Sequence, residues 1–356
     1  MTFLCFLFLF LQGCSPTSDN FDFSKGITSA EKNNENQDEN QDENQDENKD
    51  EEIEEYEEFE FPTSPPLDWP FWMTFHSCGV QDDCGNPHNH MVHLSVSQDS
   101  YDWELIDIPS VAGSVPDLFF RNNKLYLYAM HYLYRYDLEI LEWEEREVVE
   151  VYDTEGNFGY HVDPNPIFDE EGNLYMAFLY NDQSGDPAGC QEHPCQKSFR
   201  VARERLGSDG AIFEDATEIL SITLNAENQI AADPDLFLTP QGWTLLISRG
   251  QMVQGFQNDT LVGNYQPIPN LFENRWTDAG GVPAGFYDSQ SEEYWTFVTT
   301  HTNPEAHSDI FVGRSTEYGF ISKTEFEQMP ILEKLQSETT DEIFISSPGF
   351  WVWQNP

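Results

Sequence analysis

The sequence predicts an all-β chain, a five-bladed β-propeller preceded by a signal peptide and a disordered acidic tether. Three observations predict this fold: one strand-rich unit recurs along most of the chain, helical periodicity is almost absent from it, and all nine tryptophans lie within it. Short β-type runs punctuated by Gly, Pro, Asn and Asp are typical of strands joined by tight turns. We expect the signal peptide at 1–13, the tether at 14–61 and the propeller at 62–356.

The N-terminus begins with a short apolar run, FLCFLFLFL at 3–11. A helix that spans a bilayer needs roughly 20 apolar residues, so this run is too short to be one and is typical of a signal peptide. It leads into LQGC at 11–14, which resembles the bacterial lipoprotein cleavage box. The resemblance implies cleavage before Cys14, lipidation of its thiol, and retention at the outer membrane or cell surface. The alternative is an ordinary signal peptide with an incidental cysteine.

The segment that follows is acidic and repetitive. NQDE occurs three times at 36–47, and residues 15–60 contain 18 acids and 3 lysines. Such a segment cannot bury enough apolar surface to offset its chain entropy, and like charges extend it. We interpret it as a tether. Calcium binding by the acidic run is the alternative.

Charge restricts the partners of the folded part. Residues 61–356 contain 47 acids and 13 bases, a net charge of −34. Repulsion excludes nucleic acid and other polyanions as partners. We expect a monomer.

Four cysteines remain in the folded part, as two close pairs: Cys78 with Cys84, and Cys190 with Cys195. In an exported chain, close pairs predict two local disulfides. The alternative is a Cys/His metal site, because His76 and His193 are near in sequence. Neither pair has the Cys-x2-Cys spacing of zinc sites, so we predict no metal there.

The recurring unit begins with a small or acidic residue and a proline, followed by a strand, a turn and an aromatic-rich strand. Its four full copies open at SVPDLFF (114–120), HVDPNPIF (161–168), ADPDLFL (232–238) and GVPAGFY (281–287). A degenerate copy starts at PFWMTF (70–75). Five units of about four strands each predict five blades. The last segment, IFISSPGFWVW at 343–353, would join the first blade and close the ring, removing free sheet edges. A β-sandwich is the alternative.

Three of these units resemble blades of the five-bladed propeller glycosidases, namely the family 43 arabinanases and β-xylosidases and the related sialidase-like propellers. The segments that carry the resemblance are VPDLFFRNNKLYLYAM (115–130), HVDPNPIFDEEGNLYMAF (161–178) and GGVPAGFYDSQSEEYWTFVTTH (280–301). The resemblance implies glycoside hydrolysis by carboxylates that converge on the propeller axis. Such chemistry needs two carboxyl groups flanking the glycosidic bond, one protonated and one ionised.

The candidate catalytic residues are the aspartates at blade openings: Asp68, Asp117, Asp163, Asp233 and Asp235. By resemblance, Asp117 matches the family's pKa-tuning aspartate, and Asp68 is the only candidate for the general base. The place of the general acid falls on Ala232, next to Asp233. The alternative interpretation is structural: an aspartate before proline can begin a turn and accept backbone N–H bonds.

Three further residues lie near the predicted inner strands and are candidate substrate ligands: His161, Arg249 and His301. We predict no cofactor, with a structural calcium ion in the channel as the alternative. The sequence therefore predicts a surface-anchored propeller that acts on glycans, most similar to glycoside hydrolases. The alternative is a non-catalytic propeller that binds carbohydrate or protein. Whether the chain is an enzyme stays open at this point.

Overall fold

The computed structural model describes residues 60–79, 82–181, 188–190, 192–303, 307–329 and 342–353. The predicted signal peptide, Cys14 and nearly all of the predicted tether lie outside these residues. Within them, strands form five blades around one axis, which confirms the predicted all-β five-bladed propeller. No helix in the described ranges has the length and apolarity that crossing a membrane requires.

The first three blades follow one another along the chain. Blade 1 contains β1 (Phe71–Gly79), β2 (His90–Ser97), β3 (Trp103–Leu105) and β4 (Val111–Ala112). Blade 2 contains β5 (Asp117–Arg121), β6 (Lys124–Ala129), β7 (Tyr132–Asp137), β8 (Glu142–Trp143) and β9 (Glu147–Val148). Blade 3 contains β10 (Glu150–Asp153), β11 (Phe158–Phe168), β12 (Leu174–Asn181), β13 (Cys195–Glu204) and β14 (Ile212–Leu224).

Two more blades and a final strand complete the ring. Blade 4 contains β15 (Ala232–Thr239), β16 (Gly242–Ser248), β17 (Val253–Asn258), β18 (Gln266–Pro267) and β19 (Arg275–Thr277). Blade 5 contains β20 (Gly281–Asp288), β21 (Glu293–Asn303), β22 (His307–Ser315) and β23 (Phe326–Gln328), and β24 (Glu342–Val352) follows. Four short 3-10 turns are also described: Pro66–Asp68, Pro87–Asn89, Phe272–Asn274 and Lys323–Glu325.

The C-terminal strand β24 is the inner strand of blade 1. It pairs antiparallel with β1 along its length, from Phe71 opposite Val352 to Gly79 opposite Glu342. A single parallel pair, Ser308 with Phe344, also links it to β22 of blade 5. The last segment therefore closes the ring by joining the first blade, as predicted from the sequence.

Apolar side chains lie on both faces of every blade, because each blade packs against two neighbours. The described core consists of five clusters, one at each interface between adjacent blades. Strand β6 illustrates how the sequence produces this. Its alternating LYLY pattern directs Leu125 and Leu127 toward blade 1 and Tyr126 and Tyr128 toward blade 3. Alternating large residues thus form two cores from one strand.

Blade 3 differs from the other blades because its sheet closes on itself. Strand β10 pairs antiparallel with β11 and parallel with β14, the outermost strand of the same blade. The five strands β10 to β14 therefore form a closed sheet. We call it the closed sheet of blade 3.

Both predicted disulfides are present, Cys78–Cys84 and Cys190–Cys195. The first joins the end of β1 to the loop before β2, and the second closes a loop that leads into β13. Each bond constrains one short loop.

The propeller also contacts the last residues assigned to the tether. The backbone of Glu60 exchanges hydrogen bonds with Asn122 in the first turn of blade 2. The Phe61 ring packs edge-to-face on Phe168 of blade 3, with the ring centroids 4.8 Å apart. The first two described residues therefore contact blades 2 and 3.

Replacing Gly349 by valine should destabilise the closure of the ring. A Cβ at this position would lie 2.6 Å from the Pro116 carbonyl oxygen and 2.7 Å from Asp117 Cα, both in blade 2. Because backbone atoms cannot rotate away, we expect the free energy of unfolding in urea to fall by about 1–3 kcal/mol. Gly159→Ala is the matched control, since a Cβ there meets nothing closer than 3.6 Å. Equal stability of the two variants would contradict the close approach of β24 to blade 2.

Candidate functional site

A proline-containing bulge recurs at the opening of all five inner strands. In each, a residue and the proline after it lie opposite a single residue of the second strand. The residues before the prolines, which we call the bulge residues, are Val115, Asp163, Asp233, Val282 and Ser347. All five have positive φ, between 47° and 58°. Non-glycine residues rarely adopt this conformation, and a following proline restricts them further.

Hydrogen bonds from the preceding blade hold these bulges. The backbone N–H donors and their side-chain acceptors are Val115 to His76 Nδ1 (3.2 Å), Asp233 to Asp163 Oδ2 (3.1 Å), Val282 to Ser248 Oγ (3.2 Å) and Ser347 to Thr299 Oγ1 (3.0 Å). Burial lowers the pKa of His76 well below its ordinary value. The ring is therefore neutral, and Nδ1 is able to accept the bond.

The residues after the prolines form a second set of bonds between blades. Asp235 Oδ2 accepts the N–H of Gly285 in blade 5 at 2.7 Å. Asn165 Oδ1 accepts the N–H of Leu236 in blade 4 at 2.9 Å. Asp117 accepts the backbone N–H groups of Leu118 and of Phe350, which lies in β24.

Asn165 connects this set across blade 3. Its side-chain amide donates to Asp117 at 2.8 Å and to Asp235 at 3.2 Å. The next residue is Pro166, which has no N–H to offer the neighbouring blade. The Asn165 amide therefore supplies the donor that this backbone position lacks.

The five bulges enclose a cavity of ≈ 20 Å³ on the axis. Asp117, Asp163, Asp233 and Asp235 all line it, together with the prolines and Asn165. A water needs about 10–15 Å³ by this kind of measure, so the cavity has room for about one water. We call this space the axial cavity.

Burial dominates the electrostatics of the axial cavity. It raises the pKa of Asp117 to about 7, although hydrogen bonds from Asn165, Leu118 and Phe350 favour the ionised form. Burial and the Asp117 carboxylate raise the pKa of Asp235 well above its usual range. Burial and the Asp163 carboxylate do the same to Asp233, which is also hydrogen-bonded to Ser248. Protons therefore reside on part of this cluster near neutral pH.

The structure brings together four of the five predicted aspartates and places the fifth elsewhere. Asp68 is exposed at the end of the Pro66–Asp68 turn and does not line the axial cavity. The reason is topological. It precedes β1, which is the second strand of blade 1, and the start of β1 pairs with the far end of β24. Ser347 of β24 occupies the first-blade position, and the Ser-Pro of IFISSPGFW was the signal for it.

Two of the three predicted substrate ligands, His161 and Arg249, do not line the axial cavity. His161 is buried between blades 2 and 3, edge-to-face on His131 at 5.3 Å, and burial lowers its pKa to about 3. Its Nε2 has no hydrogen-bond partner among the described residues. Arg249 is half-buried just after β16, where burial lowers its pKa. His301 lies in β21, but its side chain is outside the described part of the structure.

The residues present do not fit a carboxylate-held calcium ion on the axis. Calcium takes six to eight oxygen ligands. Among the described residues, three potential ligand atoms lie within 4.8 Å of one another at Cys190, His193 and Cys195, and no three channel aspartates meet this spacing. The two sulfurs of that group form the disulfide.

The chain is similar to solved structures of glycoside hydrolases, at low identity. A thermostable family-43 glycoside hydrolase is 12% identical, with 72% of this chain and 93% of that chain covered and a TM-score of 0.42. The Cellvibrio cellulosa α-L-arabinanase in complex with arabinohexaose is 15% identical, with coverages of 60% and 74% and a TM-score of 0.40.

A xylan β-1,4-xylosidase from Bacillus halodurans C-125 is 12% identical. The match covers 73% of this chain and 52% of that one, with a TM-score of 0.40. No family model matches the chain, and no curated protein matches it.

Changing Asp117 to asparagine should alter how stability depends on pH. With a folded pKa of about 7, Asp117 favours folding most below pH 4, and this contribution is lost as pH rises to about 7. An asparagine does not titrate. We therefore expect the stability advantage of wild type over Asp117→Asn to shrink by about 4 kcal/mol between pH 4 and pH 8.

Urea unfolding across this pH range measures that advantage. Asp259→Asn, at an exposed position of blade 4, is the control for loss of a surface carboxylate. A difference between wild type and Asp117→Asn that does not change with pH would contradict the raised pKa.

Proposed function

We propose that this chain is a surface-anchored propeller that binds glycans without hydrolysing them. The observation that carries the proposal is the geometry of the axial cavity. Its carboxylates accept hydrogen bonds that hold neighbouring blades together, and the space between them is ≈ 20 Å³.

Hydrolysis would require space for a sugar between two carboxyl groups. Two carboxyl groups must flank a sugar, about 5–5.5 Å apart for retention or 6.5–9.5 Å for inversion. Sites for small ligands typically have volumes of about 300–1,000 Å³. The cavity is more than tenfold smaller, and the general-acid place is taken by buried Ala232. Asp117 and Asp235 are already committed to backbone donors of the adjacent blades.

Glycans are the ligand class that the sequence supports best. The blade openings resemble those of glycosidase propellers, and the strong excess of acids disfavours anionic polymers. Neutral polysaccharides have hydroxyl groups and apolar C–H faces, and they carry no charge for that field to repel.

Hydrolysis is the second candidate, and one observation favours it. Burial and Asp163 raise the pKa of Asp233, so Asp233 would be protonated where an ordinary aspartate is ionised. A protonated acid beside a second carboxylate is the pairing that glycoside cleavage uses. This candidate requires the bulges to separate and admit a sugar.

A screen for turnover separates the two candidates. We expect the purified protein to release no reducing sugar from arabinan or xylan, and to bind at least one neutral oligosaccharide in calorimetry. Asp163→Asn and Asp233→Asn should leave that affinity within about threefold, because the axial cavity is too small to hold a sugar. Wild-type turnover that either variant reduces by orders of magnitude would establish the hydrolase instead. Binding to proteins but to no glycan would reject both candidates.

The proposal also places the protein on a bacterial outer membrane or cell surface through Cys14. The support is the apolar run followed by LQGC at 11–14. Cys14→Ser removes the thiol that a lipid would modify, so the variant should move from the membrane fraction to the soluble fraction. Cys5→Ser is the matched control, because Cys5 lies within the apolar run. A Cys14→Ser protein that still sediments with membranes would contradict the anchor.

A further inference from the structure

A second cavity, far larger than the axial one, lies within the closed sheet of blade 3. Its volume is ≈ 260 Å³. Its floor includes Val151 of β10 and Phe178 of β12, both buried in the core between blades 2 and 3. It exists because β10 pairs with both β11 and β14, so the sheet forms a wall around it. We call it the blade 3 cleft.

Aromatic rings stand at the side of this cleft. Phe158 lines it and is 48% exposed, but its ring packs on Tyr152 and Tyr160, which do not line the cleft. Tyr180 also lines it, with the Arg200 guanidinium 4.0 Å from its ring centroid. Arg200 Nε donates to Ser198 Oγ at 3.2 Å, which fixes the guanidinium over the ring.

Polar groups of the turn between β10 and β11 also line the cleft. Asp153 Oδ1 accepts the N–H groups of Glu155 and Asn157 at 2.9 and 2.8 Å. Asp153 Oδ2 accepts the Asn157 side-chain amide at 3.0 Å. The Asn157 bonds lower the pKa of Asp153, so the carboxylate is an ionised acceptor. A turn held in this way orders little on binding, and its polar groups are already positioned.

A glycine in β11 leaves part of the cleft unfilled. Gly159 lines it and pairs with Val151 across β10 and β11. A Cβ built there meets only Tyr180 at 3.6 Å and the Val151 carbonyl oxygen at 3.7 Å, which are ordinary contacts. A larger side chain would therefore fit the backbone and occupy the cleft.

We propose that the blade 3 cleft binds one neutral sugar residue of a glycan chain. This rests on the proposed function, and it gives that function a site away from the axis. The C–H face of a sugar would pack on the Tyr180 ring. Its hydroxyl groups would donate to Asp153 and to Asn157 Oδ1, and would accept from Arg200.

The charges around the cleft select against an acidic sugar. Asp153 lies in the cleft and Glu155 is exposed on the adjoining turn, against the single guanidinium of Arg200. The folded part of the chain also carries a net charge of −34. This negative field repels the carboxylate of a uronic acid, whereas a neutral sugar carries no charge to repel.

Calorimetric titration of the full-length protein with arabinohexaose, xylohexaose and trigalacturonate tests the assignment. Gly159→Leu fills the cleft, and Tyr180→Ala removes the ring beneath Arg200. We expect each to weaken binding of the preferred neutral oligosaccharide at least tenfold. Phe272→Ala is the matched control, because Phe272 is 74% exposed in blade 4 and should leave affinity unchanged.

The outcomes separate this inference from the proposed function. Wild-type protein that binds no oligosaccharide overturns the proposed function and the site with it. Wild-type binding that both cleft variants retain overturns the site alone. Tighter binding of trigalacturonate than of either neutral hexamer overturns the neutral-sugar assignment. Should Gly159→Leu lower the melting temperature, Tyr180→Ala and Arg200→Gln test the same site without filling it.

Discussion

The structure depends on the proline bulge that opens every inner strand. A residue with positive φ before a proline is strained, at about 1–3 kcal/mol for each such backbone position. Here the strain recurs five times around one axis. It persists because the bulges are held from outside: four bulge N–H groups donate to a side chain of the preceding blade. No blade could adopt this opening alone, so the ring and its bulges are mutually dependent.

This constraint explains why aspartates cluster on the axis. A bulge exposes backbone N–H groups that the sheet no longer pairs, and a short carboxylate is a good acceptor for them. Asp117, Asp163 and Asp235 act in this way, and Asn165 substitutes where Pro166 removes a donor. The same burial that makes these bonds strong also raises the pKa of Asp117 and Asp235. Raised pKa values on the axis therefore follow from blade assembly and do not require catalysis.

The five blades and four of the axial aspartates could be predicted from the sequence, because both follow a repeated local pattern. The x-Pro openings predicted where the inner strands begin, and the LYLY alternation of β6 explains the two cores that this strand joins. The first blade was harder, because its inner strand comes from the other end of the chain. For this reason the sequence predicted Asp68 at the axis, whereas the structure has Ser347 there. The blade 3 cleft left no local signal, since the four residues of β10 resemble a linker until β14 pairs with them.

A repeated, tightly bonded axis leaves little freedom for a binding site there. Any change at one bulge alters the acceptor of the next blade, so Asp233 or Ser347 cannot move independently of Asp163 or Thr299. A part of the fold that departs from the repeat is not linked to the neighbouring blades by these hydrogen bonds. The closed sheet of blade 3 is such a departure: the Asp153–Asn157 turn satisfies its own hydrogen bonds, and Gly159 leaves space without strain. A ligand site can therefore be built within one blade while the axis serves assembly.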